Sequence, residues 1–173
     1  MTTMMTTCPR ADMSKFMENE FTKTIEENNL LKARYLYEIA GPFNPDARIG
    51  KRTILCTGLF LAAKFMNPDM AEWLLKLGAD VNKLNEVNET ALIRACLRGQ
   101  NTKVVKLLLE AGANPNIIDD HGDTPLLRAY YIGSGETMDL LIKHGADLDL
   151  KGGKREKSVR EIMKEHEASR GEK

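Results

Sequence analysis

The sequence predicts an all-α solenoid, in which short helix–turn–helix pairs stack side by side and hairpin-like loops join each pair to the next. Two periodic landmarks and one physical argument carry this. Gly78-Ala79-Asp80-Val81-Asn82, Gly112-Ala113-Asn114-Pro115-Asn116 and Gly145-Ala146-Asp147-Leu148-Asp149 repeat one turn at spacings of 34 and 33 residues. Thr57-Gly58-Leu59, Thr90-Ala91-Leu92 and Thr124-Pro125-Leu126 repeat one helix start at spacings of 33 and 34. A fixed period of this size marks a repeat architecture. Each unit is also too short to bury its own apolar stripe, so its neighbours must cover it.

The elements follow in order. Residues 1–12, MTTMMTTCPRAD, have neither a basic start nor an apolar stretch, so they do not read as a secretory signal and are expected to be disordered. Residues 13–45 contain FTKTIEENNLLKARYLYEIAG, a helix pair with its turn at Asn28-Asn29 and an apolar face of Phe21, Ile25, Leu30, Ala33, Leu36 and Ile39. This is expected to be a degenerate first unit, atypical because its outer side meets water. In the unit at 46–82, LAAKF is followed by Asn67 as N-cap, Pro68 at the first helical position and MAEWLLKL before Gly78. Its first helix is read as beginning near Thr53, one turn ahead of Thr57. A start at Thr53 keeps the connector length, and a start at Thr57 keeps the period.

The unit at 83–116 runs TALIRAC, a break at Gly99, then KVVKLLLEA. In the unit at 117–149, Thr124 caps a helix with Pro125 at its first position, and Leu126, Ala129 and Tyr130 share one face. Gly133-Ser134-Gly135 breaks that helix, Ser134 caps a second one over 136–144, and Gly145 ends it in the left-handed conformation. Ala62, Ala63, Ala95 and Ala129 let the first helices approach, while Leu74, Leu75, Val104, Val105, Leu107, Leu108, Leu140 and Leu141 fill the second layer. NKLNEVNE and NIIDDHGD have the composition of tight protruding hairpins. Residues 150–168, with VREIMKEH, read as a lone capping helix, and 169–173 as a disordered tail.

Composition narrows the function. The 173 residues hold 25 Lys+Arg against 25 Asp+Glu, so no overall field recruits nucleic acid or an anionic membrane. Three scattered cysteines, Cys8, Cys56 and Cys96, argue against a disulfide framework and for a reducing compartment, read as the cytoplasm with the nucleus or delivery into another cell left open. No uninterrupted apolar stretch is long enough to span a bilayer. His121, His144 and His166 show no metal-ligand spacing, and no nucleophile–base set or phosphate loop occurs, so no catalytic residue, cofactor or metal is expected. Cys96 reads as a small core hydrophobe, and Asp119, Asp120 and Asp123 as hairpin residues. The basic run KGGKREK (151–157) is interrupted by Glu156 and followed by Glu161. A nucleic-acid-associated role for it is the alternative reading, an enzyme with an unrecognised site a remoter one.

TPLLRA at 124–129, TALIRA at 90–95 and the three Gly-Ala turns closely resemble the ankyrin repeat family over 57–149. One departure is that the family's His after T-x-L is replaced by Phe60, Ile93 and Leu127, so apolar packing must take its place. The resemblance implies a protein-interaction module that grips its partner with hairpin tips and the inner faces of the first helices. Position by position this designates Phe65, Leu84, Arg94, Leu97, Arg98, Ile118, His121, Arg128, Tyr131 and Ile132, a mixture of Arg, aromatic and aliphatic side chains of the kind that concentrates binding energy. The partner is expected to be a protein, held by an adaptor, an inhibitor or antidote, or a delivered effector. The exposed ends of the stack leave self-association open.

Overall fold

The Gly-Ala turns owe their sequence to how helices end. In the computed structural model, which describes residues 19–40, 58–98, 102–151 and 157–171, helices α4 (Pro68–Lys76), α6 (Thr102–Glu110) and α8 (Gly135–Lys143) each run into one. Gly78, Gly112 and Gly145 take φ of 89°, 86° and 87°, a left-handed conformation that only glycine adopts at little cost. In the middle turn, the Gly112 N–H donates to the Leu109 carbonyl at 3.0 Å and the Ala113 N–H to the Leu108 carbonyl at 3.0 Å, which satisfies acceptors the helix end would leave bare. Ala79, Ala113 and Ala146 are buried behind the glycines. The next residue, Asp80, Asn114 or Asp147, accepts the amide two positions on at 2.9, 3.0 and 2.8 Å.

The fifth residue of the turn reaches the following unit. Asn82 donates to the Gly112 carbonyl at 3.3 Å and accepts the Asn114 amide at 2.8 Å. Asn116 repeats this with the Gly145 carbonyl at 2.9 Å and the Asp147 amide at 2.8 Å. A carboxamide suits the place because it offers a donor and an acceptor on separate atoms of one short side chain.

The first helices form the other layer: α3 (Gly58–Lys64), α5 (Ala91–Cys96) and α7 (Pro125–Ile132). Each packs on its own second helix; α3 also packs on α5 and α5 on α7, as α4 does on α6 and α6 on α8. Thr90 accepts the Ile93 amide at 3.2 Å, Thr124 the Leu127 amide at 3.1 Å and Asn67 the Met70 amide at 3.1 Å, so these three caps form. Ser134 stands at the expected N-cap of α8 without capping it. Its hydroxyl donates to Thr137 Oγ1 at 2.8 Å instead. Ala62, Ala63, Ala95 and Ala129 are buried between layers with Leu59, Leu74, Leu92, Val104, Leu108, Leu126 and Leu141. Phe60, Ile93 and Leu127, in the place of the absent histidines, are 3%, 0% and 4% exposed, so apolar packing does take their place. Arg94 of the next unit lies over the Phe60 ring, 5.0 Å from its centroid. Among the described residues there is no strand.

The two ends of the stack are built differently. At the front, α1 (19–26) and α2 (Leu30–Ala40) repeat the α3–α4 turn bond for bond. Asn28 and Met66 both take φ 54°. The Asn29 amide donates to the Thr24 carbonyl at 2.8 Å, as the Asn67 amide does to Ala62 at 2.9 Å, and Asn29 accepts the Lys32 amide at 3.0 Å. Phe21, Ile25 and Ala33 are buried, and Trp73 of α4 meets Phe21 and Tyr37 with ring centroids 6.0 and 5.7 Å apart.

At the back, α9 (Val159–Gly171) begins with a capping box: Ser158 N–H donates to Glu161 Oε2 at 2.8 Å, and Glu161 N–H to Ser158 Oγ at 3.3 Å. Val159 and Ile162 are its buried anchors. The helix continues to Gly171, past residue 169 where the sequence is read as a disordered tail. The tail at 1–12, the Thr53 or Thr57 helix start, the break at Gly99, Cys8, Cys56 and residues 152–156 of the basic run lie outside the described residues.

Candidate protein-binding face

Two hairpins are described, each organised by one polar side chain at its base. Asn85 Oδ1 accepts the amides of Val87 and Glu89 at 3.0 and 2.9 Å. Asp119 Oδ1 accepts those of His121 and Asp123, both at 2.9 Å. The hairpins are tied to each other where Asp120 N–H donates to the Val87 carbonyl at 3.1 Å and Asn88 Nδ2 to Asp120 Oδ1 at 2.8 Å. The hairpin reading of Asp119, Asp120 and Asp123 therefore holds.

Each hairpin is also bolted to the first helix that follows it. Arg94 Nη2 pairs with Glu89 Oε2 at 2.6 Å. Arg128 Nη2 lies 2.9 Å from Asp119 Oδ2 and 3.0 Å from Asp123 Oδ2. The Arg94 and Arg128 side chains are only 27% and 20% exposed, and the carboxylates of Glu89, Asp119 and Asp123 are buried. A buried carboxylate without a cation is strongly disfavoured, so these arginines hold the hairpin roots in place. Instead of an open row of Arg, the structure has two clamps. Sequence reasoning missed them, although the five-residue spacing recurs from Glu89 to Arg94 and from Asp123 to Arg128.

What remains open runs along the ends of the first helices. Phe65, Arg98 and Ile132 stand at one equivalent position of three adjacent units, and Lys64, Leu97 and Tyr131 at the position before it. Phe65 is 38%, Tyr131 50% and Ile132 47% exposed; Arg98 is exposed and Leu97 half-buried. Lys64 sits 5.2 Å from the centroid of the Phe65 ring. Tyr131 meets Tyr130 edge to face at 5.9 Å, and Tyr130 stacks on His166 of α9, its hydroxyl 2.6 Å from Nδ1. No sequence signal announced that last contact. Leu84, Ile118 and His121 belong to the hairpins: Leu84 and His121 are exposed and Ile118 half-buried. The ten designated residues thus divide into a helix-end strip, a hairpin set and the two clamps between them.

The chemistry of the remaining groups is quiet. Cys96 is fully buried, and burial pushes its thiol far above the ordinary range, so it carries no reactive thiolate. Among the described residues no three His, Cys, Asp or Glu side chains converge as a metal site, and no helix is long and apolar enough to cross a membrane. A family model described as ankyrin repeats matches residues 59–152 as three copies, just over half of the chain. No curated protein matches it.

Proposed function

The chain belongs to the ankyrin repeat family, whose repeats are generally protein–protein interaction modules, and on that premise we propose that it is a non-catalytic module holding one protein partner on its concave face. The observation that carries this is the strip of Phe65, Leu97, Arg98, Tyr131 and Ile132, aromatic, aliphatic and cationic groups repeated along neighbouring helices. A solvated face without a partner would more often present Lys, Glu or Gln. The hairpin residues Leu84, Ile118 and His121 extend the same surface.

In this reading residues 13–45 are a degenerate first unit, 46–82, 83–116 and 117–149 are the repeats, and 150–168 is the cap. The matched turn geometry of α1–α2 and α3–α4 supports the first assignment. The buried, unpaired Cys96 supports an intracellular setting. Adaptor, inhibitor or antidote, and delivered effector are the roles such a module fills. The nucleic-acid alternative gains little from the basic C-terminal segment, because Lys151 and Lys157 are engaged by Glu161 at 3.1 Å and Glu165 at 2.6 Å.

Affinity capture with the wild type and with a combined Phe65→Ala, Tyr131→Ala, Ile132→Ala variant tests the assignment. Arg94 and Arg128 are left intact because their loss would disturb the hairpins. Loss of the captured proteins from the variant is expected; identical sets from both baits would refute the concave face.

A further inference from the structure

The charge on the open part of the face is divided by layer. At the helix ends Lys64 and Arg98 make no ion pair among the described residues. Each carries a full positive charge, which outweighs the partial negative charge of the helix terminus beside it. On the hairpins the exposed acids are Glu86 and Asp120, while Arg94 and Arg128 are neutralised by Glu89, Asp119 and Asp123. Without the clamps the inner face would look basic throughout. With them, the free positive charge beside Phe65, Tyr131 and Ile132 is that of Lys64 and Arg98, and on the hairpins one exposed cation, Lys83, stands against the two exposed acids.

We propose that the segment held by this face is acidic and apolar: an extended stretch whose carboxylates meet Lys64 and Arg98 and whose aromatic or aliphatic side chains lie on Phe65, Tyr131 and Ile132. The proposal rests on the concave-face reading above. Lys64 is the last residue of α3 and Arg98 follows the end of α5 by two residues, and these two helices pack directly on each other. Neighbouring helix axes lie about 10 Å apart, and an extended chain of the polyproline-II kind, with three residues per turn and about 3.1 Å rise, covers that distance in about three residues and returns its side chains to the same face. The preferred ligand therefore carries two acidic residues about three positions apart, with apolar residues towards the α7 side. Glu86 and Asp120 repel such a segment from the hairpin tips and keep it on the helix ends.

The test is selection of short random peptides displayed on phage against the full chain, followed by anisotropy titrations of the enriched peptides. Acidic pairs about three positions apart beside an aromatic or aliphatic residue are expected. Replacing those acids by Asn or Gln in the peptide should weaken binding about tenfold, as should the double variant Lys64→Glu, Arg98→Glu, and raising the salt should weaken it further. Lys64→Arg with Arg98→Lys should bind like the wild type and shows that the site needs charge alone. Enriched peptides that are neutral or basic, yet are lost with Phe65→Ala, Tyr131→Ala, Ile132→Ala, would overturn the acidic ligand and leave the concave face standing. Peptides indifferent to both sets of substitutions, or no enrichment, would overturn the proposal; indifference would overturn the face as well.

Discussion

The junctions inside the stack and the junction that closes it are made of different chemistry. Between repeats, apolar side chains such as Leu92, Leu108 and Leu126 are shut away from water, and neutral Asn82 and Asn116 bind a carbonyl and an amide of the next turn. At the last turn the equivalent residue is Asp149. It meets a side chain, accepting from Arg160 Nε at 2.6 Å, while the Arg160 amide donates to the Leu148 carbonyl at 3.1 Å. Both groups of that ion pair are exposed. The change from Asn to Asp follows the neighbour. A following backbone turn needs a donor and an acceptor, whereas a following helix bearing Arg160 needs an anion. Val159 and Ile162 bury apolar surface at the cap too, but its polar link is an exposed ion pair, so the inner junctions are expected to be the stable part of the molecule and the cap junction the labile part.

Four experiments break or sharpen that contrast. The largest effect is expected from Leu92→Ala, which opens a cavity at a fully buried inner junction and should cost about 3 kcal/mol in urea unfolding; Val159→Ala in α9 should cost clearly less, and equal losses would contradict the division. Next comes Arg128→Met, which leaves the carboxylates of Asp119 and Asp123 buried without their cation. Allowing for the partial exposure of Arg128, about 2 kcal/mol is expected, together with faster amide exchange at His121 and Asp123. Asn116→Ala removes both bonds to the next turn and should cost about 1 kcal/mol, read in the same unfolding assay. A cost within error would show that the ladder orients the units without stabilising them.

The smallest effect on the whole molecule is that of acid on the cap. The hydrogen bond from Arg160 holds the Asp149 carboxyl below its ordinary range. The Ser158 amide and Lys151 do the same for Glu161. Both folded values are depressed, so their contribution is present above the ordinary carboxylate value of about 4 and is lost as pH falls through the lower folded values. Hydrogen exchange should therefore show α9 losing protection below about pH 4 while α5 and α6 keep theirs, and Arg160→Ala should remove the part of that pH dependence that belongs to Asp149 and leave the part that belongs to Glu161. Simultaneous loss in α5 and α9 would mean the cap is no weaker than the junctions.

The repeats were legible because their turns are determined locally. Glycine at a left-handed helix end, Thr or Asn at an N-cap and Pro at the first helical position each follow from backbone geometry within a few residues, so a period of 33 to 34 could be read without knowing any contact. The candidate face was legible only in part. Phe65, Arg98, Tyr131 and Ile132 are open where the repeat pattern puts them. Arg94 and Arg128 occupy equivalent first-helix positions, yet each is held by a carboxylate of its own hairpin. Ser134 had the right residue for a cap, but Thr137 takes its hydroxyl.

By itself, then, the sequence determined the helix pairs of the repeats, their left-handed glycine ends and the period at which they follow one another, because each rests on interactions between residues close in the chain. Which charges remain open to a partner, and how the stack is closed by Asp149, Arg160, Tyr130 and His166, only the tertiary structure decided. Those contacts depend on where a folded hairpin or a final helix delivers its side chains, and a long flexible side chain takes whichever partner the fold brings within reach.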